Sequence, residues 1–188
     1  MDGIVGVTGT PGTGKKSVAP LLANLLGLRC LSINDVARSH GLAARKGKEW
    51  EVDTVTLRSK IGAAVRPAVL YGHLLSDSVE SGLVSRVVVL RCEPLVLKER
   101  LAKRGYSTRK LVDNVESELI GLVSSGAYEA FGEDKTFEID ATTTTPAEAA
   151  EAVSRVINGE AMPGPRIDWT LAYDTGAKLR SLLSTDDS

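Results

Sequence analysis

The sequence predicts an α/β fold in which a five-stranded parallel sheet carries helices on both faces. Three observations lead there. Apolar strand-like runs alternate along the chain with longer segments of helical spacing, the order that βαβ units require. One run, Val87–Leu90, is apolar at every position, as a strand buried on both faces must be. The first run, ending at Thr8, leads through a glycine-rich stretch straight into a helical pattern.

Taken in order, the first strand is Ile4–Val7, and Gly-Thr-Pro-Gly-Thr-Gly-Lys-Lys-Ser follows at Gly9–Ser17. A helix over about 15–26 places Val18, Leu21, Leu22, Leu25 and Leu26 on one face. Pro20 lies inside it and predicts a bend, because proline removes one helical hydrogen bond. The second strand, Arg29–Ser32, runs into a helix at about 34–41, with Asn34 or Asp35 as its cap. Helical spacing returns at 54–65, and the third strand, Ala68–Tyr71, ends in a tight turn at Gly72. Then come a helix at 74–82, a strand at Val87–Arg91, helices at 94–104 and 110–126, and a strand at Thr136–Asp140. The threonine run Thr142–Thr145 reads as a loop that caps a helix at 146–157, which opens on Pro146 and Glu148. Beyond a 1–158 domain, Gly159–Pro165 reads as a linker and 159–188 as linker plus tail. Ile167, Trp169, Leu171 and Tyr173 alternate with polar residues, so the tail either docks on the body or frays, and Ser184–Ser188 is polar and acidic.

With 188 residues, 43% of them hydrophobic, the chain can bury one good core. A net charge of −1 excludes nucleic-acid binding through overall charge, although Arg100–Arg109 forms a local basic patch. Cys30 and Cys92 lie in apolar runs without metal spacing and read as free, buried thiols suited to a reducing compartment. No stretch approaches the ~18 apolar residues of a membrane span, and the chain opens directly into a strand, leaving no room for a signal peptide. The expectation is a soluble, cytoplasmic protein that engages no membrane.

The chemistry concentrates at the glycine-rich loop. Glycines 9, 12 and 14 let backbone N–H groups turn inward around phosphate oxygens, and Lys15 adds a charge toward the outer phosphates. Gly12, Thr13, Gly14, Lys15, Lys16 and Ser17 are thus the expected phosphate contacts. The residue after the lysine commonly holds magnesium through a hydroxyl; here it is Lys16, and the hydroxyl comes one place later at Ser17. Ligands of parallel sheets sit beyond the C-terminal strand ends, which directs attention to Arg38 after the second strand and His73 after the third. Arg38 suits a phosphate through its planar fork, or is a solvated surface cation. His73 is either a site residue or a structural one. Arg100 and Arg104 share a helix face ahead of a hinge at Gly105. Closing over a triphosphate, such arginines would stabilise transferred charge and exclude water; otherwise they are a solvated helix end.

Together these residues resemble the adenylate kinase 6 family, the small nuclear and archaeal adenylate kinase-like proteins, over roughly 3–157. The resemblance rests on Gly-Thr-Pro-Gly-Thr-Gly-Lys, Ile33–Arg38, Val52-Asp53, and Glu99-Arg100-Leu101 with Arg104–Ser107, Lys110, Asp113–Glu116 and Glu118. It implies the P-loop nucleoside monophosphate kinase fold, with a monophosphate-binding region at about 33–65 and a short lid at about 104–109. It implies transfer of the terminal phosphoryl group of ATP to AMP with magnesium as cofactor, giving two ADP. A slower ATPase and small ribosomal subunit maturation, through a ribosomal protein or precursor ribosomal RNA, are also implied. By this resemblance Lys15 and Arg104 are catalytic, Gly12–Ser17 and Arg104 bind ATP, Arg38 binds AMP, and His73 matches an ATPase-related histidine. Where members often carry an acidic residue two places before that histidine, this chain has Tyr71. With Lys16, neither usual protein ligand for magnesium is in place, so the metal is expected on phosphates and water, with Asp35 or Asp53 anchoring the waters. Two other readings stay open: a nucleotide-gated ATPase assembly factor, and a small-metabolite kinase of the shikimate or gluconate type.

Overall fold

In chain order the strands are β1 (Ile4–Thr8), β2 (Arg29–Ser32), β3 (Ala43–Lys46), β4 (Glu49–Val52), β5 (Ala68–Tyr71), β6 (Val84–Arg91) and β7 (Thr136–Asp140) in a computed structural model that describes residues 2–46, 49–62 and 65–184. The main sheet runs β2-β5-β1-β6-β7, and every pairing in it is parallel. The helices are α1 (Lys15–Leu26), α2 (Ile33–Ser39), α3 (Thr54–Lys60), α4 (Leu75–Ser78), α5 (Pro94–Lys103), α6 (Thr108–Leu119), α7 (Leu122–Phe131), α8 (Pro146–Ile157) and α9 (Gly176–Leu183).

Strand periodicity divides the core. Val5, Val7, Val88 and Leu90 face α1 and α8, while Ile4, Val87 and Val89 face Leu57 of α3, Leu75 of α4 and Phe131 of α7. Both sides of the central strands are therefore apolar, which is why β6 reads as an unbroken hydrophobic run. The cap of α8 is the one expected: Thr145 and Glu148 form a reciprocal capping box, whose hydrogen bonds hold the Glu148 carboxyl below its usual range.

Several elements differ from expectation. Helix α1 buries Val18, Ala19, Leu22 and Ala23, leaving Leu21 and Leu25 at 41% and 51% exposure. The small alanines let the helix lie close to the sheet, so its buried stripe centres on them. Pro20 lies within α1 without ending it. Helix α2 begins after Ser32, so neither Asn34 nor Asp35 caps it. Residues 43–46 and 49–52 form an antiparallel pair, β3 with β4, where no strand was expected; each strand is only four residues long, and half of their residues are charged. The 54–65 helix ends at Lys60, and positions 63–64 lie outside the described residues. The 74–82 segment is α4 followed by a 3₁₀ turn at Ser81–Leu83. The 110–126 segment is two helices, because Gly121 adopts a left-handed φ of 65° that a continuing helix cannot accept.

The tail docks. A 3₁₀ turn (Thr170–Tyr173) and α9 bring Trp169, Tyr173 and Leu182 onto Cys92, Leu97, Leu101, Leu111, Val115 and Leu119. Leu171, expected to share that contact, is 75% exposed, and 185–188 lie outside the described residues. Cys92 is buried and its thiol is pushed up to about 11, chiefly by that burial. Cys30 is only half-buried, and both thiols are free. Among the described residues no helix is long and apolar enough to cross a membrane.

Beneath the tail lies a buried ionic cluster. Arg91 Nε donates to Glu118 Oε1 at 2.8 Å, Nη1 to Glu138 Oε2 at 3.1 Å and to the Ile167 carbonyl at 2.9 Å, and Nη2 to the Glu118 carbonyl at 3.0 Å. Ile167 N–H donates to Glu138 at 2.7 Å, and the Ser124 hydroxyl bonds its other oxygen. Removing the guanidinium leaves two carboxylates buried without their cation, a loss of about 3–5 kcal/mol. Arg91→Ala should lower the urea midpoint accordingly, while Arg86→Ala, at an exposed side chain, should stay within about 0.5 kcal/mol of the parent; equal stability of Arg91→Ala would sink the argument.

Candidate functional site

The loop between β1 and α1 is held by its own backbone. Thr13 N–H donates to the Thr10 carbonyl at 3.2 Å, and its hydroxyl donates to the same oxygen at 3.0 Å. Gly12 is the tightest point: φ is 104°, and a Cβ there would lie 2.5 Å from Leu97 Cδ1 and 2.9 Å from Leu101 Cδ2. Only glycine lets the loop rest directly on α5, and that contact sets the spacing between the loop and the residues that follow α5.

A cleft of about 400 Å³ opens over this loop. Gly12, Gly14, Lys15, Lys16 and Ser17 form its floor; Asn34, Asp35 and Arg38 come from α2, Tyr71, Gly72 and His73 from the end of β5, and Arg104 and Tyr106 from beyond α5. The expected site residues are therefore brought together, with one adjustment. Thr13 is fully buried and turned inward, so it can offer a ligand only its backbone. Arg100 does not accompany Arg104; its guanidinium donates to the Ala141 and Thr142 carbonyls at 3.2 and 2.6 Å. The reason is that Arg104 is the C-cap of α5, where the chain leaves the helix. A second cleft, about 1010 Å³, shares Pro11, Asn34, His73 and Tyr106 and extends along Asp77, Lys110, Asp113 and Asn114.

Lys15 Nζ donates to the Gly9 and Thr10 carbonyls at 2.5 and 2.9 Å. Burial, opposed by Glu118 and assisted by Arg104, pulls its pKa down to about 7. Withdrawal from water, with the Lys15 and Lys110 ammonium groups, also lowers His73, leaving a neutral imidazole at pH 7. Arg38 pairs with Asp35 one turn earlier in α2.

The donor set does not fit a magnesium ion held by the protein. Magnesium demands oxygen ligands in near-octahedral array. At the loop position that normally supplies a hydroxyl stands Lys16; the end of β5 carries Tyr71, and Asp35 is engaged with Arg38. Asp53 is not in the cleft: it caps α3, accepting from Thr56 N–H at 3.0 Å and Thr56 Oγ1 at 2.6 Å, which lowers its carboxyl below the usual range. Among the described residues no group of three or more His, Cys, Asp or Glu side chains could hold a metal.

One residue acts on the loop from behind and went without a role in the sequence reading. Glu118 Oε2 accepts from Thr10 Oγ1 at 2.5 Å, and Oε1 accepts from Cys92 N–H at 3.0 Å and Trp169 Nε1 at 3.2 Å. Its signal was a carboxylate on the apolar stripe of α6, three residues after Val115 and next to Leu119.

A strand, glycine loop and helix beneath a cation-lined cleft on a parallel sheet define a P-loop kinase. A family model described as AAA domain matches residues 5–121. A protein from Thermococcus kodakarensis, named "Putative adenylate kinase", is 36% identical over 174 residues, covering 91% of this chain and 95% of its own. One of the same name from Pyrococcus furiosus is 37% identical, covering 91% and 93%. The chain belongs to this AAA-domain P-loop family, alongside those archaeal adenylate kinase-like proteins. Among solved structures, a gluconokinase from Sinorhizobium meliloti 1021 shares the fold at 20% identity, with a TM-score of 0.53 over 92% of this chain and 97% of its own. A sugar kinase from Janibacter sp. HTCC2649 does so at 16% identity and TM-score 0.53, covering 81% and 92%.

The depressed Lys15 gives a pH signature. A bound phosphate raises the pKa of that ammonium, so the complex holds more protons than the free protein and binding takes up a proton above pH 7. Affinity for ATP should be flat in this respect below about pH 7 and fall as pH rises, by up to about tenfold per unit. Calorimetry at pH 8 in buffers of different ionisation enthalpy should show that uptake, and Lys15→Met should abolish it; parent and variant with the same proton uptake would contradict the assignment.

Proposed function

We propose that the chain transfers the γ-phosphoryl group of ATP to AMP, giving two ADP. The observation that carries this reading is the convergence in one cleft of the loop lysine, Lys15, with arginines from opposite walls, Arg104 and Arg38. Phosphoryl transfer needs positioning and charge neutralisation more than covalent help. Gly12, Gly14 and the start of α1 present N–H groups to the ATP phosphates, and Lys15 draws charge from the γ-phosphoryl. Arg104, beside the left-handed Gly105, closes from the lid at about 104–109. Arg38, in the monophosphate region at about 33–65, turns its fork from Asp35 to the acceptor phosphate and aligns it. The acceptor is already ionised, so no general base is needed. The archaeal relatives' name supports the same substrates.

One observation favours a second reading. His73 is neutral, lines both clefts, and suits a proton acceptor from water. A nucleotide-gated ATPase would use it, with the ribosomal protein or precursor ribosomal RNA implied by the family resemblance as partner.

ADP formation with and without AMP, measured beside phosphate release, separates the two. AMP-dependent ADP without matching phosphate supports the kinase; phosphate release indifferent to AMP supports the ATPase and overturns the kinase. Arg104→Ala should lower kcat by about 10²–10³-fold with ATP affinity changed far less. Unchanged turnover would remove Arg104 from the mechanism.

A further inference from the structure

We propose that the Lys16 ammonium takes the place of a loop-held magnesium ion, so that this cleft binds the polyphosphate of a nucleoside triphosphate without requiring a divalent metal. The inference rests on the triphosphate reading of the cleft and concerns what neutralises that ligand.

The placement of Lys16 is unfavourable unless an anion is present. It is the second residue of α1, where the helix dipole is positive and a cation is disfavoured. No acidic residue stands in that first turn. Its sequence neighbour is Lys15, and Arg104 shares the same cleft. Among the described residues neither the Lys16 nor the Arg104 side chain has a hydrogen-bond or ion-pair partner, and the cleft's carboxylate, Asp35, is paired with Arg38. A solvated lysine on an outer helix face would be unremarked. This one is exposed toward a concave cleft whose floor already presents backbone donors.

The same position explains why the metal's protein ligands can be missing together. A triphosphate carries about four negative charges near neutral pH. Magnesium normally offsets part of that charge from a loop hydroxyl and a carboxylate near the strand end. Here both positions are changed, to Lys16 and Tyr71, and the first change adds a positive charge at the place from which the metal would act. An ammonium is a compact charge with three donors, well suited to bridging phosphate oxygens. Replacing a hydroxyl by an ammonium removes a metal ligand and repels the metal, while attracting the anion.

The test is ATP affinity by calorimetry with the full chain, in excess magnesium and in excess EDTA. The parent should bind ATP in EDTA within about threefold of its affinity in magnesium. Lys16→Thr, which restores a hydroxyl, should lose about tenfold in EDTA, equivalent to about 1.4 kcal/mol, and recover most of it with magnesium. Lys16→Arg, which keeps the charge, should remain metal-indifferent. The proposal fails if the parent loses ATP in EDTA, or if Lys16→Thr binds there as the parent does. Absence of ATP binding under both conditions would overturn the triphosphate reading instead.

Discussion

A carboxylate taken out of water loses several kcal/mol of solvation unless it is paired and fully hydrogen-bonded, and Glu118 meets that demand by drawing donors from three separate parts of the chain. Thr10 comes from the phosphate loop, Arg91 and Cys92 from the end of β6, and Trp169 from the docked tail, while Glu118 itself is on α6. The loop therefore cannot move away from the sheet, nor the tail from the body, without exposing a half-satisfied ion in a low-dielectric interior. The tail is thus part of what fixes the loop, although no tail residue lines the cleft over it.

Glu118 reaches the chemistry by a second route, its field. Burial lowers the Lys15 pKa, and the Glu118 charge opposes that shift. The carboxylate is held behind the loop, so it raises the charged fraction of Lys15 without competing with phosphate for the cleft. The other fixed dimension is the contact of Gly12 with Leu97 and Leu101, which ties the loop to α5. Arg104 caps that helix, so its distance from the loop is set by side-chain packing.

Legibility in the sequence followed the range of the interaction. The glycine loop, the five strands and the Thr145 cap depend on neighbours within a few residues, and each was evident from local pattern. The β3–β4 pair was not, because each strand is only four residues long and half of their residues are charged, too short a pattern to tell from a loop. The break at Gly121 was hidden because a lone glycine is tolerated in many helices; here the chain turns left-handed at a point where an added Cβ would lie 3.6 Å from the Arg91 guanidinium. Lys15, Lys16, Arg38, His73 and Arg104 could be named from the sequence by their places in the loop or after the second strand, the third strand and the basic helix, and the structure lines one cleft with all five. Glu118 could not be, for its partners lie up to 108 residues away, and Arg100 was grouped with Arg104 because helical spacing cannot tell which cation the carbonyls just after β7 will capture.

These constraints bear on why the cleft should prefer a polyanion at all. Lys15 satisfies its ammonium on the Gly9 and Thr10 carbonyls, which are the backbone of the loop itself. Those contacts, with the Thr13 N–H and hydroxyl on the Thr10 carbonyl, tie the loop backbone to itself. Among the described residues the Lys16 and Arg104 side chains make no comparable contacts, and the Arg104 charge disfavours the Lys15 ammonium, an effect that a ligand bringing negative charge would relieve. Backbone donors and cations are gathered in one cleft whose carboxylate, Asp35, is already paired. The preference for a highly charged ligand then follows from the protein's own charge distribution.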